Sequence, residues 1–204
     1  PIERFVDNVP QAVVQPVDTS ELVKLCEISR SYSIPVVPRG GGTSGYGGAI
    51  PAESGIVVDF TRMDGVLEVN EAENTVTVQP GVIWENLAGE LEESGLYPKI
   101  MPSSAPGATV GGWVAEGGAG IGSFRNGYVR DGVKEVELVK PDGEVVRFAS
   151  DDLDLASGAE GITGFITEVV LEVDENEEIA PKMVSFDSLE SLSGFLETIG
   201  ADGL

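Results

Sequence analysis

The chain is 204 residues long, enough to bury a real core as one domain or as two small lobes sharing one. Its 12 Lys and Arg stand against 35 Asp and Glu, a net charge of −23 that would repel nucleic acid and anionic membrane surfaces. With no histidine and one cysteine, it excludes an internal disulfide and any Ser-His-Asp or Cys-His mechanism, and it argues against a protein-held zinc or iron–sulfur centre.

No run of eighteen or more residues is apolar, so no transmembrane segment is expected, and the start shows no signal-peptide pattern. The first residue is Pro1 rather than Met, which suggests a fragment or a processed product. The acidity has two readings, ordinary surface charge or adaptation to concentrated salt, where screening relieves self-repulsion. Either way, cations are so scarce that an anionic ligand would be held mainly by backbone dipoles.

Ala12-Val13-Val14-Gln15 reads as a first strand. Asp18 and Glu21 have capping-box spacing for a helix whose apolar face is Leu22, Leu25, Cys26 and Ile28. Cys26 is thereby assigned to the core and not to a nucleophile. Ile34 to Val37 is a second strand, and it runs into Pro38-Arg39-Gly40-Gly41-Gly42-Thr43-Ser44-Gly45-Tyr46-Gly47-Gly48. Glycines in such a loop open φ > 0 conformations that can turn successive N–H groups inward as an anion nest. Thr43 and Ser44 add hydroxyls, and Arg39 adds a fixed charge at the rim. The competing reading is a flexible linker. The loop is neither a P-loop nor Gly-x-Gly-x-x-Gly. Gly55 to Phe60 gives a third strand and completes a β-α-β unit.

The pattern then alternates, with Val66–Asn70 and Thr75–Val78 forming an antiparallel hairpin that Pro80-Gly81 stops. A helix is expected from Val82 to Glu93, ended by Gly95, with Trp84 as packing in its first turn. Met101 to Gly112 reads as a second loop rich in Pro, Ser and Gly, and Gly117 to Ser123 continues the glycine density. Two such loops in a small domain are hard to explain as linkers, whereas close backbone approach to one extended ligand explains both. Val133–Lys140 and Glu144–Phe148 form a hairpin about Pro141-Asp142-Gly143. A third glycine cluster, Ser157 to Gly164, leads into a strand over Phe165–Leu171. Asp174–Glu178 is a charged break and the expected domain edge. Met183–Phe186 then reads as a strand, and Asp187-Ser188-Leu189-Glu190 caps a helix bearing Leu192, Phe195, Leu196 and Ile199.

Three motifs in fixed order, Pro38-Arg39-Gly40-Gly41-Gly42-Thr43-Ser44, Thr109-Val110-Gly111-Gly112 and Gly158 to Thr167, resemble the FAD-linked oxidases of the vanillyl-alcohol oxidase and p-cresol methylhydroxylase type. Within that family the likeness is to the flavoprotein chains of glycolate oxidase and D-lactate dehydrogenase. It spans nearly all of residues 9 to 173. It implies an α+β, two-lobed FAD-binding domain over 1–178. A small parallel β-α-β lobe (about 1–62) would precede a larger, mainly antiparallel α/β lobe (about 63–178), and 179–204 would begin a truncated cap.

The resemblance further implies that Arg39, Gly40, Gly41, Gly42, Thr43 and Ser44 wrap the pyrophosphate, with Gly47 and Gly48 nearby. Pro102, Ser103, Ser104, Thr109, Val110, Gly111 and Gly112 would approach the flavin and ribityl chain, and Gly120 and Ser123 would close that wall. Gly161, Gly164 and Ile166 would lie along the adenosine end. FAD would be non-covalent, because many relatives attach it through His and this chain has none. Ala115-Glu116 stands where relatives often carry Thr-Asn.

The implied activity is oxidation of a small-molecule 2-hydroxy acid, of glycolate or D-lactate type, by hydride transfer to FAD. The alternative is an FAD-binding electron-transfer or regulatory subunit without a substrate site. Substrate-orienting residues are expected outside this sequence, so no catalytic residue is assigned. A partner electron-transfer subunit, a cytoplasmic location, and membrane association only through such a partner complete the expectation.

Overall fold

Apolar β-branched runs build the first sheet. The computed structural model describes residues 8–176 and 182–202. Strands β1 (Ala12–Val14), β2 (Val36–Arg39) and β3 (Ile56–Asp59) are parallel, with β3 in the middle. Val57 is the register partner of both Val13 and Val37. Helix α1 (Thr19–Tyr32) starts at Asp18, whose carboxylate accepts from the Glu21 N–H at 3.0 Å. The Glu21 carboxylate accepts in turn from the Val17 N–H at 2.9 Å, one residue before the position a capping box would use. Leu22 and Cys26 are buried, but Ile28 is exposed because it lies about 200° round the helix from Cys26. Strand β2 begins two residues later than expected. The Ile34 N–H is taken by the Ser29 carbonyl at 2.9 Å, so pairing starts at Val36 and carries Pro38 and Arg39 into the sheet.

The second sheet runs β4 (Val66–Asn70), β5 (Thr75–Val78), β9 (Phe165–Glu175), β7 (Val133–Val139), β8 (Val145–Ala149), all antiparallel. Strand β6 (Leu96–Pro98) pairs with the far end of β9. Helix α2 (Trp84–Glu92) covers one face and buries Leu87 and Leu91, each worth about 1.5–3 kcal/mol of burial. It starts two residues after Val82, because the Val82 carbonyl accepts from the Val110 N–H at 2.8 Å and keeps that segment extended. Trp84 is packing, with its ring edge-on to Trp113 at 5.3 Å.

Three local readings differ. Residues read as the end of the second loop form a helix, α3 (Val110–Glu116), capped by the Thr109 hydroxyl. Its Gly111-Gly112 pair, costing about 1 kcal/mol each in helix propensity, hides it from pattern reading. Beyond the short α4 (Ser123–Asn126), strand β9 runs through Asp174 and Glu175, where the sequence predicts the start of a break; the end of that break, 177–178, lies outside the described residues. No strand forms over Met183–Phe186. A lone strand without a paired neighbour is unstable, and none is available among the described residues. Helix α5 (Leu189–Asp202) does form, with Ser188 accepting from the Ser191 N–H.

The lobes share a core. Leu22, Cys26, Val58, Phe60 and Met63 pack with Val139 and Phe165 of the larger lobe, and the Phe60 and Phe165 rings lie 5.8 Å apart. The Thr19 hydroxyl reaches Glu137 on β7 at 3.3 Å. No helix among the described residues is long and apolar enough to cross a membrane.

Candidate functional site

Where β2 and β3 end, a cleft of about 390 Å³ opens between the lobes. Twelve of the twenty expected residues line it: Gly40, Gly41, Gly42, Thr43, Ser44, Gly48, Thr109, Gly111, Gly112, Gly161, Gly164 and Ile166. Eight do not. Val110 is fully buried in the larger core. Gly47 turns the first loop with φ 82°, its carbonyl accepting from the Ile50 N–H. Pro102, Ser103 and Ser104 form a tight turn in which the Ser104 carbonyl accepts from Gly107 and Ala108. The Gly120 N–H donates to the Ser123 hydroxyl at 2.8 Å, and a Cβ on Gly120 would stand 2.2 Å from the Met101 carbonyl oxygen. Arg39 is engaged elsewhere, as described below.

Sequence reasoning missed Tyr46, Phe60, Trp113, Glu116, Gly118 and Glu160 on the lining. Most of these sit in or beside a glycine cluster, and that adjacency was the available signal. Phe60 carried none, since only the end of β3 brings it there.

The first loop is built by close approach more than by unusual φ. Only Gly42 (66°) and Gly47 (82°) of its glycines have positive φ. A Cβ on Gly41 would stand 1.9 Å from the Gly107 carbonyl oxygen, and one on Gly40 would stand 2.2 Å from the Thr109 hydroxyl. The loop is therefore seated on its neighbour. From Gly40 to Gly45, no backbone N–H has a protein acceptor among the described residues. Those of Gly40 to Ser44 belong to residues on the cleft wall and are available to an anion.

In the second cluster the backbone donors are already used. The Val110, Gly111 and Gly112 N–H groups go to the Val82 carbonyl (2.8 Å), the Pro80 carbonyl (2.8 Å) and the Thr109 hydroxyl (3.3 Å). Their glycines serve contact, since a Cβ on Gly111 would lie 2.4 Å from Pro80 Cβ. In the third cluster Gly161 has φ 78°, and a Cβ there would meet Pro38 at 2.6 Å.

Arg39 donates to Asp59 at 2.9 Å, across the paired ends of β2 and β3. Burial raises the Asp59 pKa, but hydrogen bonds from the Thr61 hydroxyl and N–H, and then the Arg39 guanidinium, outweigh it and hold the carboxyl below its usual range. That contribution to stability is complete above the unfolded pKa near about 3.9 and is lost as pH falls through the lower folded value. Asp59→Asn should therefore cost about 1 kcal/mol near pH 7, toward the low end because Arg39 is half-exposed. Urea titrations should show this deficit shrinking as the pH drops below about 4; an equal deficit at both pH values would contradict the pairing.

The charged residues on the lining are Glu116 and Glu160, and no Lys or Arg joins them among the described residues. Cations are used elsewhere: Arg147 binds Glu135, Glu137 and Glu168, and Lys99 binds Glu172 and Asp174. A smaller cavity of about 290 Å³ adjoins the cleft through Pro38, Gly48, Glu160, Gly161 and Gly164, and Cys26 borders it. Burial, with Asp142 adding, pushes the Cys26 thiol up, so it stays protonated and weakly nucleophilic. The arrangement suits an elongated ligand with a central anion, flanked by Phe60, Trp113 and Ile166.

A family model described as an FAD binding domain matches residues 10–149. Glycolate oxidase subunit GlcD of Bacillus subtilis (strain 168) is 35% identical over 175 residues, covering 81% of this chain and 37% of that protein. The mitochondrial D-lactate dehydrogenase [cytochrome] of Arabidopsis thaliana is 34% identical over 177 residues, covering 82% and 31%. Among solved structures, an alkyldihydroxyacetonephosphate synthase superposes with a TM-score of 0.81 at 26% identity, over 93% of this chain and 39% of that one. The fold is also that of 6-hydroxy-D-nicotine oxidase from Arthrobacter nicotinovorans (TM-score 0.74, 22% identity, 83% and 38% covered). The chain spans about a third of the length of the two curated relatives.

Proposed function

This chain belongs to the FAD-binding domain family, and from that premise we propose that it is the cofactor domain of a flavin-dependent oxidoreductase oxidising a 2-hydroxy acid of glycolate or D-lactate type. The observation that carries the reading is the run of unpaired N–H groups from Gly40 to Ser44 on the cleft wall. In this reading Gly40 to Ser44 hold the pyrophosphate. Thr109 and Gly112 lie toward the flavin, and Gly161, Gly164 and Ile166 lie along the adenosine. Arg39, Pro102, Ser103, Ser104, Val110, Gly120 and Ser123, which do not line the cleft, are given no contact with the cofactor in this reading. FAD bound there supplies the acceptor for a hydride equivalent from the substrate carbon. The protein's share is to position it and to keep water from it.

Residues 1–178 would form the cofactor domain and 179–204 the start of a further one. Supporting this, one sheet ends at Asp59, the next occupies 66–175, and α5 follows. A partner subunit, to which electrons would pass, fits the reading, since the Bacillus relative is itself named as a subunit; a cytoplasmic setting is part of the same proposal.

Titration with FAD should give saturable quenching of flavin fluorescence, and acid precipitation of the complex should then release all the flavin. The chain has no histidine, and its one thiol is held protonated. Unquenched FAD at every concentration would refute the cofactor assignment. Yellow colour in the washed precipitate would refute non-covalent binding.

A further inference from the structure

The charge on the cleft has the wrong sign for a site that takes a dianion by ordinary ion pairing. Glu116 closes α3 and Glu160 lies in the third glycine cluster, and the Glu160 N–H donates to the Ala115 carbonyl at 2.9 Å. The two acidic residues are thus fixed on one stretch of wall. Both are exposed, and among the described residues neither forms an ion pair. The guanidinium nearest the first loop, Arg39, is taken by Asp59. The surrounding protein, at −23, adds to the same field.

We propose that Glu116 and Glu160 give FAD binding an inverted salt dependence, in which affinity rises as salt is added. The inference rests on the reading of this cleft as the FAD site. In a site built on Lys and Arg, screening weakens attraction and affinity falls with salt. Here the fixed charges repel the ligand. The attraction comes from neutral N–H dipoles in direct contact, which mobile ions screen far less. Salt therefore removes the opposing force and leaves the favourable one. Affinity is then weakest at low ionic strength and rises as salt is added.

The test measures FAD affinity by flavin fluorescence for the native chain and for an E116Q/E160Q variant, from about 0.05 M to about 1 M KCl. Circular dichroism at each concentration keeps the comparison to folded protein. The native chain should bind about tenfold more tightly at the upper end, as expected for relief of several like-charge pairs at cleft distances. The variant should bind more tightly than the native chain at low salt and respond much less to KCl. It removes two charges from a net −23, so a general effect of salt on folding would persist in both proteins while the effect at the cleft would not. Affinity that falls with salt would overturn the proposal, as would a rise of equal slope in both proteins. Failure of both proteins to bind FAD at every salt concentration would remove the cofactor assignment itself, and this inference with it.

Discussion

Gly41→Val is expected to weaken FAD binding by up to about a hundredfold while leaving the far-ultraviolet circular dichroism almost unchanged. A Cβ at Gly41 would sit 1.9 Å from the Gly107 carbonyl oxygen, and valine adds two methyl groups beyond it. Backbone on both sides leaves no flexible side chain to give way, so the first loop must lift off the second. The free N–H groups from Gly40 to Ser44 would then be displaced from the cleft wall. Overpacking of this kind costs about 1–3 kcal/mol, which at the upper end is about a hundredfold in affinity. Neither sheet runs through the loop, so secondary structure should survive. Gly45→Ala is the control: nothing lies within 4 Å of a Cβ there and its φ is not positive, so its affinity should stay close to native. Native affinity in Gly41→Val would show that the seating of the two loops is irrelevant to the ligand.

The melting temperature should climb steeply with KCl. Thirty-five carboxylates against twelve cations leave most of the acidic surface without a partner, whatever the pairs around Arg147 and Lys99 absorb. The Debye length shrinks from about 30 Å at 0.01 M to about 3 Å at 1 M, which screens nearly all of that repulsion. Each kcal/mol relieved raises the midpoint by about 2–4 °C for a chain of this size. Potassium chloride is the salt of choice, because sulfate would strengthen apolar burial independently of charge. A midpoint that stays level across this range would mark the acidity as ordinary surface charge, with no adaptation to salt.

Much of the fold was legible where side chains report their own environment. Val-rich runs marked β2, β3 and β9, and alternation marked the β4–β5 hairpin. What pattern could not show were features set by a distant neighbour. Strand β6 is three residues ending in Pro98 and exists because β9 is long enough to offer it an edge. Helix α3 is concealed because the glycines that permit its contact with Pro80 also erase its helical signature. Among cleft residues the glycine clusters were visible as composition, but their jobs were not. Gly41 and Gly111 are spacers between backbones, Gly42 and Gly161 are turns, and only the hydrogen-bond pattern separates donors that remain free from donors already used. Arg39 looked like a ligand for anions because Asp59, its partner, is twenty positions away in the chain and adjacent only across a parallel register.

The shared cluster of Leu22, Cys26, Val58, Phe60 and Met63 with Val139 and Phe165 bears on how such a domain can be inherited. Cut after Met63, the small lobe would keep its three strands and one helix but turn Leu22 and Phe60 out to water, and a sheet that small has no other interior to retreat to. It is not a module that could be traded between proteins or fold ahead of its neighbour. Its last core partner, Phe165, arrives more than a hundred residues later, so during synthesis the lobe must wait for β9. The two walls of the cleft thus come into being together, with their spacing set by a seam of side chains that neither wall could keep dry alone.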